Sequence, residues 1–192
     1  MKLVVGITGA SGSIYAFNLL KFLRDQTTTE VHLVISKPAE IVIKHETEMS
    51  KEELQKFATY SHEINDFLSP LASGSQQFDA MIILPCSMSS LAAIAQGYTT
   101  NLLLRAADIC IKEKRTLILM PRELPFSPIH LENMLKLAKL GVHIVPAAPG
   151  FYHNPKNIED LVNFVIGRIL DLLKIPHKLF SRWSSTGTKR ND

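Results

Sequence analysis

KLVVGITGASGS, residues 2–13, passes from an apolar, β-branched run straight into glycines at 6, 9 and 12. A strand that empties into a glycine-rich turn and then a helix points backbone N–H groups at whatever anion sits on the helix start. Four more such runs follow, VHLVIS (31–36), AMIILP (80–85), TLILMP (116–121) and VHIVPA (142–147). Each reads as a strand buried on both faces. Helical spacing fills the gaps, in SGSIYAFNLLKFLRD, PAEIVIKHE, MSSLAAIAQG leading into NLLLRAADICIKEK, SPIHLENMLKLAKLG and NIEDLVNFVIGRILDLLK. This alternation predicts an α/β fold with a doubly wound, mainly parallel sheet and helices on both faces. Ligands of such sheets bind at the carboxyl ends of the strands, near a topological switch point.

Residues 47–78 interrupt the rhythm with the short helix KEELQKFA and the loop DFLSPLASGSQQ, read as an insertion over the sheet edge. One α/β domain is expected over 1–180. The polar tail 181–192 reads as flexible or as an arm laid on a neighbouring subunit.

Composition narrows the function. With 192 residues and 46% hydrophobic content the chain fills one core, and 21 Lys+Arg against 18 Asp+Glu, scattered along it, leave a net +3. That is too little for a nucleic-acid footprint. No apolar run approaches the ~20 residues of a membrane span, and MKLVVGI is too short for a signal peptide, so the cytoplasm is expected. Cys86 and Cys110 lack CxxC spacing and read as reduced buried thiols, with no metal site.

The spacing GxxGxxG is not the dinucleotide GxGxxG, and the second strand ends in Ser36-Lys37 where an NAD site wants an acid. No GxxxxGK[ST] is present either. What remains is a smaller phosphate held by backbone N–H groups and hydroxyls of Ser11, Ser36 and CSMSS (86–90), which suits the monophosphate of FMN. Taken singly these serines read as helix caps; as a set after strand ends they read as a ligand site. Arg105 and Lys112, seven apart, share a helix face and mark a second anion site, with Arg122-Glu123 after the fourth run. Lys114 and Arg115 read as solvated, Glu46 as an exposed helix-end residue, and His130 as a packing or capping residue.

These motifs resemble the UbiX-type flavin prenyltransferases from residue 3 to about 183, most specifically in TGASGS, SGS (73–75), PCSMSSLAAIAQG, NLLLRAADICIKEKR, PRELPFSPIHLENMLKLAKLG, PAAPGFYHNP and VIGRILD. The resemblance implies a Rossmann-like flavoprotein fold and reduced FMN bound as a substrate. It implies transfer of the dimethylallyl group of dimethylallyl monophosphate to flavin N5 and then C6, without metal. The prenylated flavin would serve a partner UbiD-type decarboxylase acting on a quinone precursor or another aromatic acid. Family members are homo-oligomers, dodecamers in the familiar cases, with sites at subunit contacts.

Residue by residue, the resemblance puts Gly9, Ala10 and Ser11 in the FMN loop, with Ser36 as a flavin ligand. Ser87, Met88, Ser89 and Ser90 form the phosphate loop. Arg122 would stand between flavin and prenyl phosphate, and Lys112, Tyr152 and Arg168 would hold that phosphate. Glu46 and Glu123 match carboxylates important for activity, Ser11 is a flavin ligand or proton relay, and Phe67 stands where some members carry tryptophan. The chemistry agrees: ionising an allylic C–O bond needs a stabilised leaving anion, and with no DDxxD in the chain lysine and arginine can clamp a monophosphate directly. Two other readings are an FMN-dependent decarboxylase of the same superfamily, which typically carries PxMN where this chain has PRE, and a non-catalytic flavin carrier, which needs no second phosphate clamp.

Overall fold

Residues 1–47 and 49–183 are described by the structure, a computed structural model. The expected tail arm therefore lies almost wholly outside the described residues.

Among the described residues six strands form: β1 (Lys2–Ile7), β2 (Glu30–Ile35), β3 (Tyr60–His62), β4 (Ala80–Cys86), β5 (Thr116–Pro121) and β6 (His143–Ile144). They make one sheet in the order β3-β2-β1-β4-β5-β6, with every neighbouring pair parallel. All seven residues of β4 are buried, and Leu3, Val4, Val5 and Ile7 of β1 are fully so. Continuous apolar runs are what a parallel sheet covered on both faces requires, and each fully buried side chain contributes about 1.5–3 kcal/mol.

Two strands depart from the sequence reading. β3 arises inside the segment read as an insertion; Tyr60 and Ser61 are exposed, so no apolar alternation announces it. The fifth run shrinks to the two residues of β6. Val145 N still donates to Leu119 O at 2.8 Å and Ala147 N to Pro121 O at a longer 3.4 Å, so the pairing with β5 weakens beyond β6 rather than stopping.

The helices are α1 (Ser13–Gln26), α2 (Lys37–Thr47), α3 (Lys51–Gln55), α4 (Met88–Ala95), α5 (Leu102–Lys112), α6 (Pro128–Lys139) and α7 (Ile158–Leu172). Most begin with a side chain that accepts from the first turn: Ser36 for α2, Ser50 for α3, Ser87 for α4, Asn101 for α5, Ser127 for α6 and Asn157 for α7. His130 completes the cap of α6, its Nδ1 accepting from Ser127 N at 3.2 Å, as the sequence reading expected. The apolar faces of α4 and α5, including Leu91, Leu103, Ala106 and Cys110, pack with Met81, Ile83, Leu117 and Leu119 of the sheet. Cys86 and Cys110 are free, and burial pushes both thiols up to about 12, so they stay protonated. No described helix is long and apolar enough to cross a membrane.

Contacts divide the chain into two units, Met1–Ala147 and a second one from Ala148. In the second, Asp171 near the end of α7 accepts from Arg182 (2.6 Å) and Arg168 (2.9 Å) and meets His177 Nε2 at 3.1 Å. Arg182 first, then His177, hold its carboxyl at about 2 against the opposing effect of burial. The His153 ring stacks on Phe164 with centroids 5.1 Å apart, and both its nitrogens are buried without a partner among the described residues.

At the β2–β3 edge of the first unit, His32 Nδ1 lies 2.9 Å from His62 Nε2, with Glu30 on the far side of His32 and Ser69 Oγ on the far side of His62. Burial, then the neighbouring His32, push the His62 pKa down against the opposing pull of Asp66. A histidine with a depressed folded pKa binds its proton more readily when unfolded. Stability should therefore fall as pH drops below about 6.5, the unfolded value. Thermal denaturation of wild type and His62→Gln at pH 7.5 and 5.5 should show a smaller acid loss in the variant; equal losses would remove His62 from the account.

Candidate active site

β1 lies between β2 and β4, so the chain leaves the sheet in opposite directions from the ends of β1 and β4 and opens a crevice there. The crevice is tied at its floor by Thr8. Its buried hydroxyl donates to Pro85 O at 2.9 Å and accepts from Ser87 N at 2.7 Å. The sequence reading passed over Thr8; its signal was a polar side chain at the end of a fully buried strand, where a hydroxyl must find partners.

The glycine loop follows. Gly9 packs so closely on Pro38 that a Cβ would lie 2.5 Å from the proline Cβ. Gly12 is the N-cap of α1 with φ +113°, a left-handed conformation that favours glycine, and it leaves α1 without a cap of its own. Glu46, in the last turn of α2, supplies one. Its carboxylate accepts from Gly12 N at 3.0 Å and Ser13 N at 2.8 Å. Burial works to raise its pKa, but hydrogen bonds from the Ser11 hydroxyl and from the Ser13 and Gly12 N–H groups outweigh it and hold Glu46 below the ordinary carboxylate range. So Glu46 is an exposed helix-end residue, as its local context says, yet its charge sits on the very N–H groups that the glycine loop offers to an anion.

The remaining strand ends face the same crevice. Ser36 follows β2, its N–H donating to Ile7 O and its Oγ accepting from Ala39 N. After β4, Ser87 caps α4 by accepting from Ser90 N and donates to Ser90 Oγ at 3.0 Å; Met88 is buried and Ser89 exposed. After β5, Arg122 Nε donates to Ser11 O at 3.3 Å, so Arg122 and the glycine loop meet. Glu123 turns back on the chain and accepts from Leu124 N.

Other expected site residues stand elsewhere. Lys112 ends α5 and pairs with Glu113 at 2.8 Å, beside Gly74. It lies where β4 and β5 begin, and the six residues of β5, roughly 20 Å, separate it from Arg122. Arg105, expected to share an anion-binding face with Lys112, is already engaged: Nε donates to Ala72 O and NH1 to Asp108. Phe67 is half-exposed in the loop before the Ser73–Ser75 turn. Tyr152 and Arg168 belong to the second unit, where Tyr152 packs edge-on against Phe164 and Arg168 is held by Asp171.

The donor set at the crevice fits FMN. The end of β2 presents a hydroxyl rather than a carboxylate, and α4, a helix of eight residues, presents a serine-rich N-terminus, beside Arg122 and the glycine loop. Among the described residues no group of three or more His, Cys, Asp or Glu is placed to hold a metal ion.

Comparison with known proteins agrees with this geometry. The flavoprotein family matches residues 1–170. The flavin prenyltransferase UbiX of Methanocaldococcus jannaschii is 54% identical over 185 residues, spanning 96% of this chain and all of its own. The UbiX of Pseudomonas aeruginosa is 47% identical over 196 residues, spanning 95% and 93%. Among solved structures, AnUbiX (PadA1) in complex with FMN and dimethylallyl pyrophosphate superposes with a TM-score of 0.93 at 44% identity, over 95% of this chain and 97% of that one. A dodecameric FMN-dependent UbiX-like decarboxylase from Escherichia coli O157:H7 gives 0.94 at 45%, over 96% and 100%. Identity at this level along nearly the whole of both chains makes this protein a member of the flavoprotein family and, within it, of the UbiX flavin prenyltransferases.

Proposed function

We propose that the protein joins the dimethylallyl group of dimethylallyl monophosphate to N5 and C6 of reduced FMN, without metal, and passes the prenylated flavin to a UbiD-type decarboxylase. Chain-long identity with UbiX flavin prenyltransferases carries the reading. We place the reaction in the cytoplasm, where thiols such as Cys86 and Cys110 stay reduced.

Gly9, Ala10, Ser11, Ser36 and Ser87 to Ser90 hold the flavin, with its phosphate on the start of α4. The start of α1 is closed to that phosphate because Glu46 already places a negative charge there. Bound reduced flavin supplies the nucleophilic ring atoms and a π face that shelters an allylic cation. Arg122, anchored through Nε to the glycine loop, keeps its remaining N–H groups for the leaving phosphate. Glu46, ionised and hydrogen-bonded to the Ser11 hydroxyl, is a proton acceptor that works through Ser11 rather than a donor. We assign Glu123 to proton transfer at the flavin, and Tyr152 and Arg168, which belong to the second unit, to the phosphate of a prenyl donor. Lys112 stands too far along the sheet to reach the phosphate held by Arg122 of its own chain, and we assign it to the site of a neighbouring copy in a homo-oligomer.

Anaerobic incubation with reduced FMN and dimethylallyl monophosphate, no metal added, should give an extracted flavin heavier by one dimethylallyl unit, and Arg122→Ala should abolish the gain. Flavin returned unmodified from the monophosphate and from the diphosphate with magnesium would hand the case to the decarboxylase or carrier readings.

Co-expressed Lys112→Ala and Arg122→Ala chains, each severely impaired alone at low dimethylallyl monophosphate, should recover about a quarter of wild-type activity at that concentration if each site draws on two copies that mix at random. No recovery would put both residues in one chain's site.

Replacing Glu46 by Ala should lower stability by about 0.5–2 kcal/mol, the usual cost of an N-cap. Because its folded pKa is depressed, the contribution is present above the unfolded carboxylate pKa of about 4.3 and lost as pH falls through the folded value, so wild type and Glu46→Gln should converge in acid. A constant gap from pH 7 to 3 would show that its charge is not what caps α1.

A further inference from the structure

Arg115 follows α5 in the turn before β5, where its charge reads as solvated. The structure places it otherwise. NH2 donates to Gly74 O at 2.7 Å, the guanidinium lies over the buried Phe78 ring with Cζ 4.4 Å from its centroid, and NH1 is buried without a partner among the described residues. A guanidinium held this way, with no carboxylate in hydrogen-bond contact and NH1 unpartnered among the described residues, acts on the nearby Glu113 carboxylate only at a distance. What it does is fix one carbonyl.

That carbonyl belongs to the residue on which Lys112 rests. A Cβ on Gly74 would lie 3.1 Å from Lys112 Nζ and 2.7 Å from Glu113 Oε1, so the ammonium and its partner carboxylate lean directly on the Gly74 backbone. Arg105 pins the preceding stretch through Ala72 O and is itself held by Asp108 at 2.7 Å. Lys112 alone is a flexible, 55% exposed side chain whose pairing with Glu113 is a surface contact that a phosphate can displace. Its stem needs a fixed wall if the ammonium is to meet a phosphate at one place.

We propose that Arg115 is a positioning residue for Lys112: by pinning Gly74 O it sets the wall against which the Lys112 ammonium is presented to the phosphate of the prenyl donor. This rests on the assignment of Lys112 to that phosphate under the proposed function.

The test is initial rates of flavin prenylation by the assembled protein, anaerobically, against dimethylallyl monophosphate. Lys112→Met should raise the KM for the prenyl phosphate about tenfold or more, the worth of one charge-assisted contact. Arg115→Met should raise the same KM severalfold with kcat changed by less than about twofold, because lost stability would remove active protein and lower kcat instead. Arg115→Lys, which can still donate to Gly74 O, should restore most of the affinity. Gly74→Ala leaves Arg115 intact but adds a methyl group where Lys112 Nζ and Glu113 Oε1 lie, and should raise KM too; it decides the matter if Arg115→Met fails to fold. An unchanged KM in Lys112→Met would overturn the assignment of Lys112 and this inference with it. A raised KM in Lys112→Met with wild-type values in Arg115→Met, or in Gly74→Ala should the first not fold, would overturn the role of Arg115 alone.

Discussion

The hydroxyl of Thr8 joins two strand ends that the chain reaches 77 residues apart. The β1–β4 register runs from Leu3–Ala80 to Gly6–Ile83 and stops there, and β4 shifts register against β5 between Ile83 and Cys86. Past that point the ladder no longer holds the crevice. Thr8 N and Oγ1 both donate to Pro85 O, and Oγ1 accepts from Ser87 N, so a single residue takes over where the sheet lets go. Without the hydroxyl the Ser87 amide loses its partner, at about 1–3 kcal/mol, Pro85 O keeps only the Thr8 N–H, and the start of α4 is no longer tied to the end of β1.

With that floor fixed, the distribution of charge follows from one absent cap. Gly12 has no side chain to offer α1, and Glu46 fills the role from 34 residues away. A carboxylate on the first helix neutralises the positive end of its dipole, leaving α4 and Arg122 as the positive features of the crevice. On the proposed reading this asymmetry orients the flavin: phosphate toward α4, ring toward the glycine loop and Arg122.

Much of the sheet was legible because parallel strands buried on both faces are written as unbroken β-branched runs, and the alternation with helices gave the switch point its place. β3 was not legible, since a three-residue edge strand with two exposed side chains carries no period. Nor were the partners of Glu46, Arg105 and Arg115. Local context reports whether a residue faces water, and it was right that Glu46 is exposed. It cannot report that a carboxylate reaches back to another helix's first turn, or that two arginines are held by the carbonyls of Ala72 and Gly74 across 33 and 41 residues. Lys112 and Arg122 were both readable as cations; that they end up at opposite ends of the strands is a fact of topology, because α5 runs back along β5.

That separation bears on why such a protein assembles. A chain whose flavin loops sit at the carboxyl ends of the strands and whose Lys112–Gly74–Arg115 corner sits at the opposite ends has, on the proposed reading, half of two sites rather than the whole of one. On that reading, copies packed so that the crevice of one meets the Lys112 corner of another complete each site, and the large apolar side chains that stand in water, Leu68 at 98% and Leu124 at 87% exposure, suit such a contact. On the same reading the flavin-binding half needs only its own chain, whereas the phosphate clamp is completed by the assembly. Flavin binding should then be indifferent to protomer concentration while prenyl transfer is not, and a dispersed protein would behave as the flavin carrier it otherwise resembles.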